Sequence, residues 1–133
     1  MTTSAGVVSC APDEQEAKHP NIVFIMSDDH AYQAISAYGH GLNQTPNIDR
    51  IANEGAIFTR ATVTNAICAP SRAVLLTGKH SFVNGKVDNV QPFDWEHDNF
   101  PILLQAKRYQ TAMIGKLHLD VLPAVFDYSA VLP

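Results

Sequence analysis

Asn21-Ile22-Val23-Phe24-Ile25-Met26-Ser27-Asp28-Asp29-His30 sets an unbroken apolar run directly before two adjacent carboxylates. An apolar stretch without alternation, rich in branched side chains, reads as a strand buried on both faces of a parallel sheet, and such a sheet needs covering helices. The following chain supplies them. Thr45-Pro46-Asn47-Ile48-Asp49-Arg50-Ile51-Ala52 reads as a helix with Thr45 as cap, Pro46 in the first position and Gly55 as stop. Residues 56–63 read as a second strand, and residues 69–77 as a second helix that opens on Pro70 and ends before Gly78. Residues 100–107 read as a third helix, and Tyr109-Gln110-Thr111-Ala112-Met113-Ile114 as a further strand. The alternation predicts an α/β layer architecture with a mostly parallel central sheet flanked by helices. Phe126-Asp127-Tyr128-Ser129 reads as a turn, and Val131-Leu132-Pro133 has no capping motif, so the sheet is expected to be truncated at the C-terminal side.

The length of 133 residues, with 46% apolar and 17% charged content, is that of one globular domain at most. A formal charge of −4 leaves no basic surface to neutralise phosphates, so nucleic acid is not an expected partner. No apolar run approaches the roughly 20 residues that cross a bilayer, so no transmembrane helix is expected. Residues 1–20 are polar and aperiodic and read as a leader or linker, ahead of a domain over 21–133. Val7-Val8-Ser9-Cys10 has the pattern of a lipoprotein cleavage site, which points to a periplasmic or cell-surface location. The segment before Cys10 lacks Lys and Arg, so a tail with an incidental cysteine is the alternative. Two cysteines define no disulfide framework.

Three segments can carry chemistry. Asp28 and Asp29 follow the first apolar run, at the strand end where open α/β sheets bind ligands. Paired carboxylates repel, which raises a carboxyl pKa unless a cation such as Ca²⁺ or Mg²⁺ offsets the charge. A solvated turn explains such a pair as well as a metal does. In Cys68-Ala69-Pro70-Ser71-Arg72, a helix opening at Pro70 offers an N-terminal anion site to residue 68, and Arg72 can fold back beside it. The competing reading is a small buried cysteine next to a helix-surface arginine. In Gly115-Lys116-Leu117-His118-Leu119 the two-residue period of a strand puts Lys116 and His118 on one face, a cation and a proton donor at a strand end. An ordinary strand end meeting solvent is the alternative there.

Together these segments resemble the type I sulfatases of the alkaline phosphatase superfamily. The family's C-x-P-S-R and L-L-T-G-K/R elements stand here as Cys68-Ala69-Pro70-Ser71-Arg72 and Leu75-Leu76-Thr77-Gly78-Lys79, with Asn21 to His30, Pro46 to Arg50 and Gly115 to Leu119 as further blocks in the same order. The resemblance implies an N-terminal part of an alkaline phosphatase-like sulfatase domain. It implies that Cys68 is converted to formylglycine by a formylglycine-generating or anaerobic sulfatase-maturing enzyme. The hydrated aldehyde would attack sulfur, with Asp28, Asp29 and residue 68 on Ca²⁺ or Mg²⁺, and Arg72, Lys116 and His118 around the sulfate. Asn84-Gly85-Lys86-Val87-Asp88-Asn89 with Asp94-Trp95-Glu96 looks like bacterial sulfatases acting on N-acetylglucosamine 6-sulfate, although an exposed loop also accounts for Trp95. Departures are Leu117 in place of Trp, Asp120 in place of Gly, and Lys107-Arg108 in place of Ala-Gly. Arg at a helix end is expected to forbid the left-handed cap. Further family ligands, an Asp-Asn pair, a histidine and a lysine, have no counterpart in the sequence. The chain by itself is therefore expected to be inactive, with at most weak calcium binding. A phosphomonoesterase or phosphodiesterase of the same superfamily is the other enzyme reading, and Cys68 in its motif argues against it.

Overall fold

Asp127 organises the sheet. Its carboxylate accepts hydrogen bonds from Thr111 N and Thr111 Oγ1 at 2.7 and 3.0 Å, and Tyr128 N donates to Thr111 O at 3.1 Å. From that clasp, Ala112–Lys116 (β1) and Tyr128–Leu132 (β2) run as a parallel ladder, in register from Ala112 opposite Tyr128 to Lys116 opposite Leu132. The computed structural model describes residues 19–120 and 125–132, so the reading of Val7 to Cys10 lies outside the described residues. Parallel pairing is as the sequence predicts, but the strand expected at 109–114 starts later, because Tyr109 N is still bonded to Leu104 O at the end of the preceding helix. Residues 128 and 129, read as a turn, belong to β2.

Among the described residues four α-helices precede the sheet: Pro46–Glu54 (α1), Cys68–Thr77 (α2), Ser81–Asn84 (α3) and Phe100–Gln105 (α4). Helix α1 begins as predicted after Thr45, but the threonine hydroxyl does not cap the backbone. It donates to Asp49 Oδ1, in a cluster where Ser36 Oγ donates to Asp49 Oδ2 at 2.6 Å and Ala37 N to Oδ1 at 2.9 Å. These bonds, led by that from Ser36, hold the Asp49 carboxyl below the usual carboxylate range. Gly78 (φ 65) closes α2 with its N–H on Val74 O, and Asn99 caps α4 by accepting from Ile102 N. Arg108 itself takes the left-handed conformation, at φ 65, so the helix end is retained without the glycine and the expectation of a forbidden cap is corrected.

Two predicted strands do not form ladders. Residues 22–26 have no regular secondary structure, are unpaired and are exposed, with Val23 and Ile25 at 81% and 80%. A buried parallel strand takes its burial from neighbours on both sides, and among the described residues only β1 and β2 pair. Residues 56–63 are likewise irregular and exposed. The core is small and lies where α2 meets the loop after α3 and the end of β1. Ala69, Ala73, Leu76, Phe93, Leu117 and Leu119 are buried there, with Trp95, Met113, Phe126 and Val131 against them.

Candidate active site

The Ile22–Met26 segment keeps the period of a strand without being one. Ile22, Phe24, Met26 and Asp28 line one side of a cleft of about 470 Å³, whose other wall includes β1 and Arg72. That alternation is what delivers the Asp28 carboxylate to α2 and β1. Asp29 would point away if the chain stayed extended. It adopts φ 48 instead, which breaks the alternation, and a carboxylate oxygen of each aspartate and the Cys68 sulfur lie within 4.8 Å of one another.

Arg72 lies one helical turn beyond Cys68 and is 6% exposed. Its Nη2 donates to Asp28 Oδ1 at 2.6 Å, its Nε donates to Lys116 O at 3.3 Å, and its Nη1 is buried without a partner among the described residues. The guanidinium was expected beside residue 68, yet its bonds run to Asp28 and Lys116. Lys116 completes the group from the end of β1, with Nζ 2.6 Å from Asp28 Oδ2 and 3.8 Å from Cys68 Sγ. The Lys116 hydrogen bond, and after it that from Arg72, lower the Asp28 carboxyl to about 2, and the same bond raises Lys116 above its ordinary value. Repulsion between the aspartates was expected to raise a carboxyl. Two cations already on Asp28 reverse the sign.

The anion site expected from the backbone of α2 is reduced. The helix starts at Cys68 rather than Pro70, Ala69 N is taken by Asn89 Oδ1 at 3.0 Å, Pro70 has no N–H, and Ser71 N bonds to Ile67 O. Positive charge for an anion therefore comes from side chains. His118 is not on the strand face it was assigned: β1 ends at Lys116 and His118 has φ 57, so the two-residue period stops short of it. Among the described residues its Nδ1 is buried without a partner, and no hydrogen bond joins it to the other five site residues. Trp95 is not an exposed loop residue. It is half-buried, edge-on to Phe93 at 4.8 Å and packed against the core.

The donor set suits a hard divalent cation only in part. Carboxylate oxygens from Asp28 and Asp29 favour such an ion, whereas a thiol at residue 68 is a soft ligand, so the three donors match one metal type only when residue 68 presents oxygen. Sequence reasoning missed Asn89, which closes the first turn of α2, and the ion pair of Lys86 with Asp120. Both lie in or against Asn84 to Asn89, a segment whose dense polar content was visible as a pattern without a structural cause.

The chain matches the sulfatase family model over residues 20–130 and belongs to that family. It is 53% identical to an N-acetylglucosamine-6-O-sulfatase of Bacteroides thetaiotaomicron, over 95% of this chain and 23% of that protein. Among solved structures it is similar to BT4656 in complex with its substrate D-glucosamine-2-N,6-O-disulfate, with a TM-score of 0.82, 54% identity, and 84% of this chain and 23% of that one covered. A phosphonate monoester hydrolase of Agrobacterium radiobacter aligns with a TM-score of 0.68 and 27% identity, over 76% of this chain and 23% of that one. The chain thus has part of the alkaline phosphatase-like sulfatase fold and spans about a quarter of the length of the relatives it matches. Members of the family generally use a formylglycine and a divalent metal.

Proposed function

We propose that the chain carries one wall of the active site of a sulfuric ester hydrolase for sulfated carbohydrates such as N-acetylglucosamine 6-sulfate, built around residue 68 as formylglycine. The observation that carries the reading is the meeting of Asp28, Arg72 and Lys116 beside Cys68, with 44 and 88 residues separating Asp28 from its two cationic partners. Chain connectivity alone does not bring such distant charges together, and the arrangement puts Lys116 beside the nucleophile position with Arg72 on the same carboxylate. The relatives of known activity support the substrate class.

In this reading Asp28, Asp29 and residue 68 hold a divalent cation, Ca²⁺ or alternatively Mg²⁺, which supplies charge neutralisation for sulfate when bound. Formylglycine supplies a hydrated aldehyde whose hydroxyl is the nucleophile. Lys116 orients and neutralises the sulfate next to residue 68. Arg72, with Nη1 uncommitted, holds the residue-68 group and keeps Asp28 ionised. His118 is the hydrogen-bond donor to the substrate oxygen. A formylglycine-generating or anaerobic sulfatase-maturing enzyme is the partner the reading requires.

Coexpression with such a maturing enzyme tests it. The peptide containing residue 68 is expected about 18 mass units lighter than the thiol form. A thiol that persists in every such preparation overturns the reading.

A further inference from the structure

Lys86 is 0% exposed and among the largest fully buried side chains of the protein. Its Nζ donates to Asp120 Oδ2 at 2.9 Å and to Gln91 O. A methionine fills comparable volume without the cost of taking an ammonium out of water, so packing alone does not account for a charge here. Its partner carboxylate stands two residues beyond His118, in a segment with unusual backbone: His118 has φ 57 and Asp120 has φ 63, separated by Leu119 at 1% exposure. Left-handed conformations outside glycine persist where the surroundings over-determine them. Here the determinants are Leu117 and Leu119 in the core and the ion pair at Asp120.

The loop that bears Lys86 is itself tied to both ends of α2. Asn84, 1% exposed, donates from Nδ2 to Lys79 O at 2.9 Å and accepts from Lys86 N at 2.9 Å. Asp88 Oδ1 accepts from Val90 N and Gln91 N, each at 2.8 Å, and Asn89 Oδ1 accepts from Ala69 N at the first turn, next to Cys68. Thus one loop contacts the start of the helix that begins at residue 68 and, through Lys86, the turn that carries His118.

We infer that Lys86 is a positioning residue: its ion pair with Asp120 fixes the His118 turn relative to the Cys68 end of α2. The inference rests on the sulfatase reading for what residues 68 and 118 do, but its geometry is independent of turnover.

The test uses the 133-residue chain, read by long-range ¹H–¹⁵N spectra of the histidine rings, with His118→Gln assigning the signal. The wild-type His118 ring, held in one position with Nδ1 buried, is expected to give a single set of ring nitrogen shifts distinct from those of the exposed histidines. Lys86→Met and Asp120→Asn are each expected to lose it, giving averaged ring nitrogen shifts, and the double variant to add nothing further to the ring, because each variant breaks the same Lys86–Asp120 pair. A urea transition confirms that each variant is folded. If Lys86→Met does not fold, Asp120→Gly serves in its place, since glycine keeps the left-handed backbone without the carboxylate. Ring shifts that stay at wild-type values in folded variants, or single effects that sum in the double variant, overturn the inference and assign Lys86 a purely structural role. Neither result bears on the conversion of residue 68, so this inference and the sulfatase reading fail separately.

Discussion

The polar corner at Asp28 and the apolar ribbon Ile22–Met26 that leads into it are consecutive in sequence and held in opposite ways. The corner is fixed by distant partners: Asp28 is clasped by Arg72 and Lys116 at 2.6 Å each. Every side chain of the ribbon is apolar, yet Val23 and Ile25 face solvent. Hydrophobic burial needs area on both sides, and short-range charge pairs need only one correctly placed partner. A segment can therefore be placed at its polar end and unsupported along its apolar length.

The contrast can be broken most severely in the core beside the His118 turn. Leu119→Ala is expected to destabilise by about 2–5 kcal/mol in urea unfolding, since Leu119 is 1% exposed and its neighbours cannot all close the cavity. A loss below that of a surface substitution would mean that the core does not lie there. Asn99→Ala, which removes the side chain that caps α4, is expected to cost about 0.5–2 kcal/mol by the same measurement.

Acid titration sharpens the polar side. The folded Asp28 value of about 2 lies below the ordinary 3.8, so the stability it contributes is present above 3.8 and is lost as pH falls through the folded value. Unfolding monitored from pH 5 downward should show that loss between about 4 and about 2, and Lys116→Met should move the Asp28 titration upward towards the ordinary value. A titration unchanged by Lys116→Met would remove the lysine from the clasp. The smallest effect is expected on the ribbon: Ile25→Ser should change stability by less than about 0.5 kcal/mol, because the side chain is 80% exposed, while lowering self-association measured by light scattering.

Local signals were legible wherever a few adjacent residues sufficed. Pro46 and Gly55 bound α1, Gly78 ended α2, and the motif from Cys68 to Arg72 put a cation one turn from a thiol on the same helix. The paired carboxylates were visible too, but not the direction of the Asp28 shift, because Lys116 is 88 residues from Asp28. The strand at Ile22–Met26 was predicted from a pattern that presupposes neighbours. His118 was placed by a period that ends with the last residue of β1. Arg108 was expected to be excluded from a conformation that it adopts.

Read from residue types alone were the family blocks in order, the bounds of α1 at Pro46 and Gly55, and the end of α2 at Gly78. Those depend on residue type and on spacings of a few positions, which local sterics and hydrogen bonding decide. The tertiary structure alone decided which cations clasp Asp28, that Asn89 closes α2, and that Lys86 is buried against Asp120. Those contacts join residues far apart in the chain, and the free energy that selects them comes from burial and charge pairing, neither of which leaves a local pattern.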